Sequence, residues 1–495
     1  MTQTTPRRLD AQDTRVPYGP VMDIPVGGSR LADTLETKTQ ARDNPDARIL
    51  STAASREIAR RVFGMTTGGG VTRVTLHSIW TGNTRWGRNV VMAGGDTQNT
   101  VVGVHRSIRG ADSWMEFTNA THGPLLQTVV RRAEHSLLLY PESPDQYPDR
   151  PSIVNTHAKP AIWFDATTNI DAMRRATVVK PVLDTAEQSN VLSAGYLEVS
   201  ASGAAVLIDD QVERYYPYTT AQFSLTVRDP RTNGSGWAGI DFNDWGRIDT
   251  NAIAAIAFDK CQRSANPVAI EPGRYTAILE PQAVCDLFTP IIEQVLDRIQ
   301  AEMGMGPFAA GPGMSKISQQ VLDERITISA DPMDPDCGFV PFDWNGEPYV
   351  KVNWIEQGIL KDLAYPRYYG LRNLTLDQSL PNSLAFRMSG GTTSVDDMIE
   401  STSRGILITR LSGIHTIDMR TMLLGGTTRD GLWLIERGKI TKAIKNFRIT
   451  ESPLFALNNI EQLGIPQRVF RPRAPAVCPA LKVRDFSCTG LVDAI

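Results

Sequence analysis

The strongest periodic signal in the chain lies in residues 282–303, where Val284, Leu287, Phe288, Ile291, Ile292, Val295, Leu296 and Ile299 recur at helical spacing. An apolar stripe of that length must be buried against other elements, which sets a helix into a core. Pro290 falls inside the span and predicts a kink or a helix start there. Downstream, residues 325–330, 349–356, 359–364, 405–411, 432–436 and 439–449 read as strands separated by N-G, Q-G and R-G turns, with one capped helix over 394–403. The glycines of 304–313 fit no phosphate-cradling spacing.

Upstream, the pattern is strands followed by a helix, twice over. Residues 52–63 have helical spacing through Ile58, Ala59 and Val62; then 71–80, 84–93 and 99–107 read as strands, and 123–139 as a helix with Leu125, Leu126, Val129, Val130 and Ala133 on one face. The second unit has strands at 196–199, 204–207, 211–218 and 222–229 and a helix over 250–263 with Ile253, Ile256 and Ala257 inward. Short connections of this kind favour hairpins. The fold expected is therefore α+β, with an N-terminal antiparallel sheet carrying helices on one side and a C-terminal β-rich, barrel-like domain. A polar, proline-punctuated extension is expected over 1–48, the N-terminal α/β domain over 49–266, and the β-rich domain over 267–495.

Charge and motif narrow the function classes. Lys plus Arg is 51 against 54 for Asp plus Glu, a net charge of −3, so no basic excess draws the chain to nucleic acid. The opening residues lack the apolar stretch of a secretory signal and no run is long enough to span a bilayer, which predicts a cytoplasmic protein without membrane contact. The five cysteines are odd in number and far apart, as for reduced thiols. No two of His77, His105, His122, His135, His157 and His415 lie four or five positions apart, so a helical zinc clamp is absent. No G-x-S-x-G elbow occurs, and Cys478 and Cys488 read as structural thiols, with a nucleophile as the alternative. Asp331, Asp334 and Asp336, set among prolines, offer carboxylates for calcium but lack the glycine and terminal glutamate of a calcium loop, and read as a solvated turn.

Several segments, in collinear order, carry a resemblance. ANPVAIEPGRYTAILEPQAVCDLF, LDERITISADPMDP, WNGEPYVKVNWIEQGILKDLAY, the long run from GILITRLSGIHTIDMRT to NNIEQLG, and the final ALKVRDFSCTG resemble the TldD/PmbA (TldE) family of peptidase subunits. In the first half the likeness rests on softer features, the W-x-x-x-T-R-W-x-x-N run from Trp80 to Asn89 and the Arg132, Ala133, Glu134 helix end. The resemblance implies an N-terminal α/β domain and a β-rich C-terminal domain. It also implies zinc-dependent proteolysis, since TldD-type chains carry H-E-x-x-x-H on the helix following the equivalent of residues 277–281. Here that helix reads PQAVCDLFTPIIEQVLDRIQ, with no histidine, and Leu287, Phe288 and Ile291 fill the stretch where ligands and base would lie. The chain is thus similar to the metal-free PmbA/TldE type. That implies no catalytic residue, no metal ligand and no cofactor of its own, with zinc in a TldD-type partner and unfolded or small modified peptides as substrate.

A peptide would add a strand to an exposed sheet edge. Gly413, Ile414, His415 and Thr416 are the candidate substrate-binding residues, with a satisfied surface histidine as the bland reading of His415. Arg429 and Asp430 read either as an interface ion pair or as a solvated turn, and Trp237, Trp245, Trp344 and Trp354 mostly as core. Two rival functions stay open: a stand-alone peptide-binding or scaffold homodimer, and a Cys- or Ser-dependent hydrolase.

Overall fold

The computed structural model describes residues 46–139, 158–209 and 211–492. The extension expected over 1–48 falls almost wholly outside them, as does His157.

Helix α1 (Thr52–Met65) begins at Ser51, whose side chain accepts the Ala54 N–H at 3.1 Å. Strands β1 (Val71–Gly87) and β2 (Val90–Ile108) form a hairpin closed by Arg88 and Asn89, both left-handed at φ 50° and 62°, as the twist of a two-residue turn requires. There follow β3 (Ala111–Thr118), α2 (Gly123–Leu137), α3 (Ala172–Gln188), β4 (Leu192–Ile208), β5 (Val212–Asp229), β6 (Gly234–Phe242) and α4 (Thr250–Arg263). The strands pair in the order β3-β2-β1-β4-β5-β6, all antiparallel.

The period of two along β1 decides which face is covered. Val74 and Leu76 pack with Ile58 and Val62 of α1 and Leu126 and Val129 of α2. Trp80 and Trp86, on the same face, pack with Val179 and Val182 of α3 and Ile253 and Ala257 of α4. Helices α1 to α4 therefore lie on one side, as expected, and the other side presents Arg73, Thr75, His77 and Ile79. The strands are longer than the apolar runs predict. Residues 196–199 and 204–207 belong to one strand, as do 211–218 and 222–229. Small residues that look like breaks admit large partners instead. A Cβ on Gly82 would meet the guanidinium of Arg175 at 2.3 Å, and Arg175 is fully buried. The helix α3 and the strands β3 and β6 were not expected.

In the second half, β7 (Gly273–Leu279) leads into α5 (Pro281–Gln294). Strands β8 (Arg404–Ile408), β9 (Leu411–Asp418), β10 (Leu423–Thr428), β11 (Leu432–Glu436), β12 (Lys439–Ala443), β13 (Phe447–Glu451) and β14 (Leu481–Leu491) join β7 in the order β9-β10-β13-β14-β7-β8-β11-β12, curling as a half-barrel. A second sheet runs from Ile359–Leu360 through Val352–Glu356, Ile328–Ala330, Phe386–Met388 and Ala476–Cys478 to Gln467–Val469. Helix α5 shares one core with both: Phe288, Ile291 and Ile292 with Trp354 and Phe386 of one sheet and Leu279, Ile406 and Phe447 of the other.

The helix expected over 282–303 is broken. It ends at Gln294, Val295 leaves helical geometry at φ −128°, and a short helix restarts at Arg298–Glu302 behind Asp297, which accepts the Gln300 N–H at 2.8 Å. Val295 and Leu296 stay buried across the break, so burial continues the apolar stripe although the helix does not. Pro290 lies within α5 and does not start it.

Candidate functional site

Strand β9 is the outermost strand of its sheet and, among the described residues, pairs only with β10, leaving one backbone edge free of strand partners. Its register slips between Ser412 and His415 and again between Thr416 and Asp418, with Gly413 left-handed at φ 63°. Gly413 and His415 are exposed, whereas Ile414 is half-buried against the core. The four residues singled out in the sequence thus lie together along this edge. His415 folds back on its own strand, Nδ1 lying 2.9 Å from the Gly413 carbonyl oxygen, and its ring covers Gly425.

Both ends of the edge are tied to α5. The Leu411 N–H donates to Asp286 Oδ2 at 2.9 Å, and Thr416 Oγ1 donates to Gln294 Oε1 at 2.8 Å. Asp286 is a half-buried carboxyl that also accepts from Gln282 Nε2 at 2.9 Å. Burial pushes its pKa up to about 6, against the pull of Gln282, the Leu411 N–H and Arg410. Glu293, the other carboxylate within α5, holds Arg471 at 2.8 Å. Leu287, Phe288 and Ile291 are turned into the core at 4%, 1% and 0% exposure, and the Phe288 ring meets Phe386 at 5.6 Å.

A cleft of about 630 Å³ separates the open face of the N-terminal sheet from the second half of the chain. Glu198, Ser200, Thr220 and Gln222 of β4 and β5 line one wall, and Phe339, Phe342, Trp344 and Tyr349 line another. Across it Arg468 makes an ion pair with Asp241 and donates to the carbonyl oxygens of Asp241 and Asp336 at 3.0 and 2.7 Å. The sequence carries no signal for this pairing, because its partners lie 227 positions apart.

Other sequence readings change with the structure. Asp334 and Asp336 do not form a solvated turn. They clasp Arg387, at 2.6 and 2.8 Å from Asp334 and 2.9 Å from Asp336, and Asp336 also holds Arg247 at 2.7 Å. Nor is Asp430 solvated: it is 1% exposed, accepts from Ser235 Oγ of β6 at 2.6 Å, and pairs with Arg410 at 3.2 Å. Trp354 is core, Trp237 meets Phe470 edge-on at 5.6 Å, and Trp344 is 56% exposed. The five thiols are all buried and free. Burial raises Cys261 to about 11 and Cys337 and Cys488 to about 12, and lifts Cys478 as well, so these thiols stay protonated at neutral pH. That removes the activation a cysteine nucleophile needs. Among the described residues, no three His, Cys, Asp or Glu side chains are grouped so as to hold a metal ion, and no helix is long and apolar enough to cross a membrane.

An antiparallel sheet with helices on one face, joined across a cleft to two further sheets wrapped round a buried helix, defines a two-part α+β protein with a free strand edge beside its central helix. Residues 272–490 match the family described as the PmbA/TldA metallopeptidase C-terminal domain, which supports a place for the chain in the TldD/PmbA family. No curated protein sequence matches the chain. Its fold is similar to the crystal structure of TldE from Thermococcus kodakarensis, with a TM-score of 0.75 at 15% identity over 88% of this chain and 100% of that one. It is similar as well to a candidate modulator of DNA gyrase from Bacteroides thetaiotaomicron, with a TM-score of 0.73 at 16% identity over 88% of this chain and 98% of the other. A third likeness, to a candidate gyrase modulator from Thermotoga maritima, has a TM-score of 0.72 at 14% identity over 87% and 99%.

Proposed function

We propose that the chain is a non-catalytic subunit of a cytoplasmic TldD/TldE-type zinc metallopeptidase complex, acting on unfolded or small modified peptides. One observation carries the reading. In α5, Leu287, Phe288 and Ile291 stand where the family resemblance places ligands and base, and all three are core side chains. The two carboxylates of the helix are already committed, Asp286 to the Leu411 N–H and Glu293 to Arg471. The residues present do not fit a metal ion. What the chain offers instead is backbone. An extended peptide laid along β9 would bond to main-chain groups flanking Gly413, Ile414, His415 and Thr416, a mode that tolerates varied side chains. The likeness to a TldE supports the same assignment.

The experiment is to purify the chain alone and together with the H-E-x-x-x-H chain of the same genome. Alone, it is expected to carry no stoichiometric zinc and to cut no peptide; together, the two chains should co-elute and cut unfolded peptides. Thr416→Pro should lower that cleavage about tenfold by spoiling the strand edge while leaving the complex assembled. Zinc held by the isolated chain together with peptide cleavage would overturn the assignment. Sedimentation as a homodimer indifferent to the partner would favour a scaffold instead.

A further inference from the structure

The cleft between the two parts carries a chemistry that strand addition at β9 does not use. Its floor is made of hydroxyls and amides in register on β4 and β5. Ser200 faces Thr220 with side-chain oxygens 2.6 Å apart, Glu198 faces Gln222, whose Nε2 donates to Glu198 Oε1 at 2.9 Å, and Ser202 faces Tyr218. Tyr218 bonds onward to His77 Nε2 at 2.8 Å. Over this floor stand rings: Phe339 meets Tyr349 edge to face at 5.4 Å, and Trp344 meets His77 in the same manner at 5.9 Å.

The charges along the walls are spent within the protein. Arg468 is paired with Asp241; Glu198 accepts from Gln222 and from Tyr196; Asp343 accepts the N–H groups of Asn345 and Glu347 at 2.8 and 2.9 Å. Arg473 stands exposed at the rim. One hydroxyl is not spent: Ser383 Oγ belongs to a residue lining the cleft, is buried, and has no hydrogen-bond partner of good geometry among the described residues. Orphaned buried hydroxyls are rare in native proteins, and a serine hydroxyl re-aims by rotation about one bond.

We propose that this cleft binds an uncharged aromatic group flanked by amides or hydroxyls, such as a tyrosine or tryptophan residue presents within a peptide. Its ring packs against Phe339, Tyr349 and Trp344, and its polar edge meets the hydroxyls and amides of β4 and β5. Where β9 would read backbone, the cleft selects a side chain. The inference rests on the peptide-handling role only for the source of the ligand; the cleft is built from other residues than β9.

The test is isothermal titration of the full-length chain, without any partner, using N-acetyl-L-tyrosinamide and N-acetyl-L-tryptophanamide as probes. Methyl glucoside serves as a hydroxyl-rich ligand without an aromatic ring, and phosphorylated N-acetyltyrosinamide as the charged counterpart. Saturable binding of the two aromatic amides is expected, weakened about threefold by Thr220→Val and about tenfold by Phe339→Ala. Thr220→Val is close to isosteric, so it stands as the measure if Phe339→Ala fails to fold. Four results would overturn the proposal: no saturation by either amide up to about 10 mM, equal binding of the phosphorylated probe, preference for the glucoside, or affinities that Thr220→Val leaves unchanged. Because the isolated chain is titrated, loss of amide binding leaves the subunit reading intact, and loss of the subunit reading leaves amide binding standing.

Discussion

Asp286 is the residue in which helix, edge strand and electrostatics meet. It sits in an apolar helix, so desolvation disfavours its charge, yet it accepts the N–H that starts β9. Its folded pKa, about 6, lies above the ordinary 3.8, so the folded state holds the proton more tightly than the unfolded chain does. For a carboxyl shifted upward, the associated stability is fully present below about 3.8 and is lost as pH rises through about 6. A shift from 3.8 to about 6 corresponds to a swing of about 3 kcal/mol. Asp286→Asn keeps an acceptor for the Leu411 N–H and removes the titration. The difference in unfolding free energy between variant and parent should therefore move in the variant's favour, by up to about 3 kcal/mol, as pH is raised from about 4 to about 8. Denaturant titrations at the two pH values measure it, and a difference that does not change with pH refutes the assignment. The amino-acid pattern marks Asp286 only as a polar position in an apolar stripe. Its donor lies 125 positions away, beyond the reach of any local pattern.

At the scale of elements, what was legible was whatever has a strong period. Helix α4 was expected over the residues it occupies, because its apolar positions repeat and Asp249 caps it through the Asn251 and Ala252 N–H groups. The helix α5 was legible in existence but not in extent, since a buried stripe continues through the break at Val295. The long strands β4 and β5 read as pairs of short ones because the small and polar residues 200–203 and 219–221, between their apolar runs, look like punctuation. The nominated residues 413–416 lie along the edge strand β9, whose anchoring to α5 was not visible. Within α5, Phe288 fills the space between the two C-terminal sheets at 1% exposure, so Phe288→Ala should cost about 3–5 kcal/mol, transfer and cavity terms together. A urea midpoint unchanged within error would mean that the helix is not the centre of that core.

At the scale of the whole molecule, the join between the two halves combines apolar packing, Phe342 against Val206 and Ile208, with a buried ion pair. Arg468 and Asp241 are 7% and 10% exposed as side chains, and the Arg471 N–H adds a second bond to the same carboxylate at 2.6 Å. Serving several partners at once makes Asp241 hard to replace singly. Asp241→Ala leaves the Arg468 guanidinium buried with only the carbonyl oxygens of Asp241 and Asp336 as partners, and breaking a buried pair in this way costs about 3–5 kcal/mol. Removing both charges is a different matter, because an apolar replacement of a buried pair is often neutral. Asp241→Leu combined with Arg468→Met should therefore recover most of the stability that Asp241→Ala loses. Equilibrium unfolding in urea of the three proteins decides the point. If the double variant is as unstable as the single, the loss comes from the hydrogen bonds to Arg471 and the backbone rather than from an uncompensated charge, and the clamp would then hold the two halves by geometry instead of by charge.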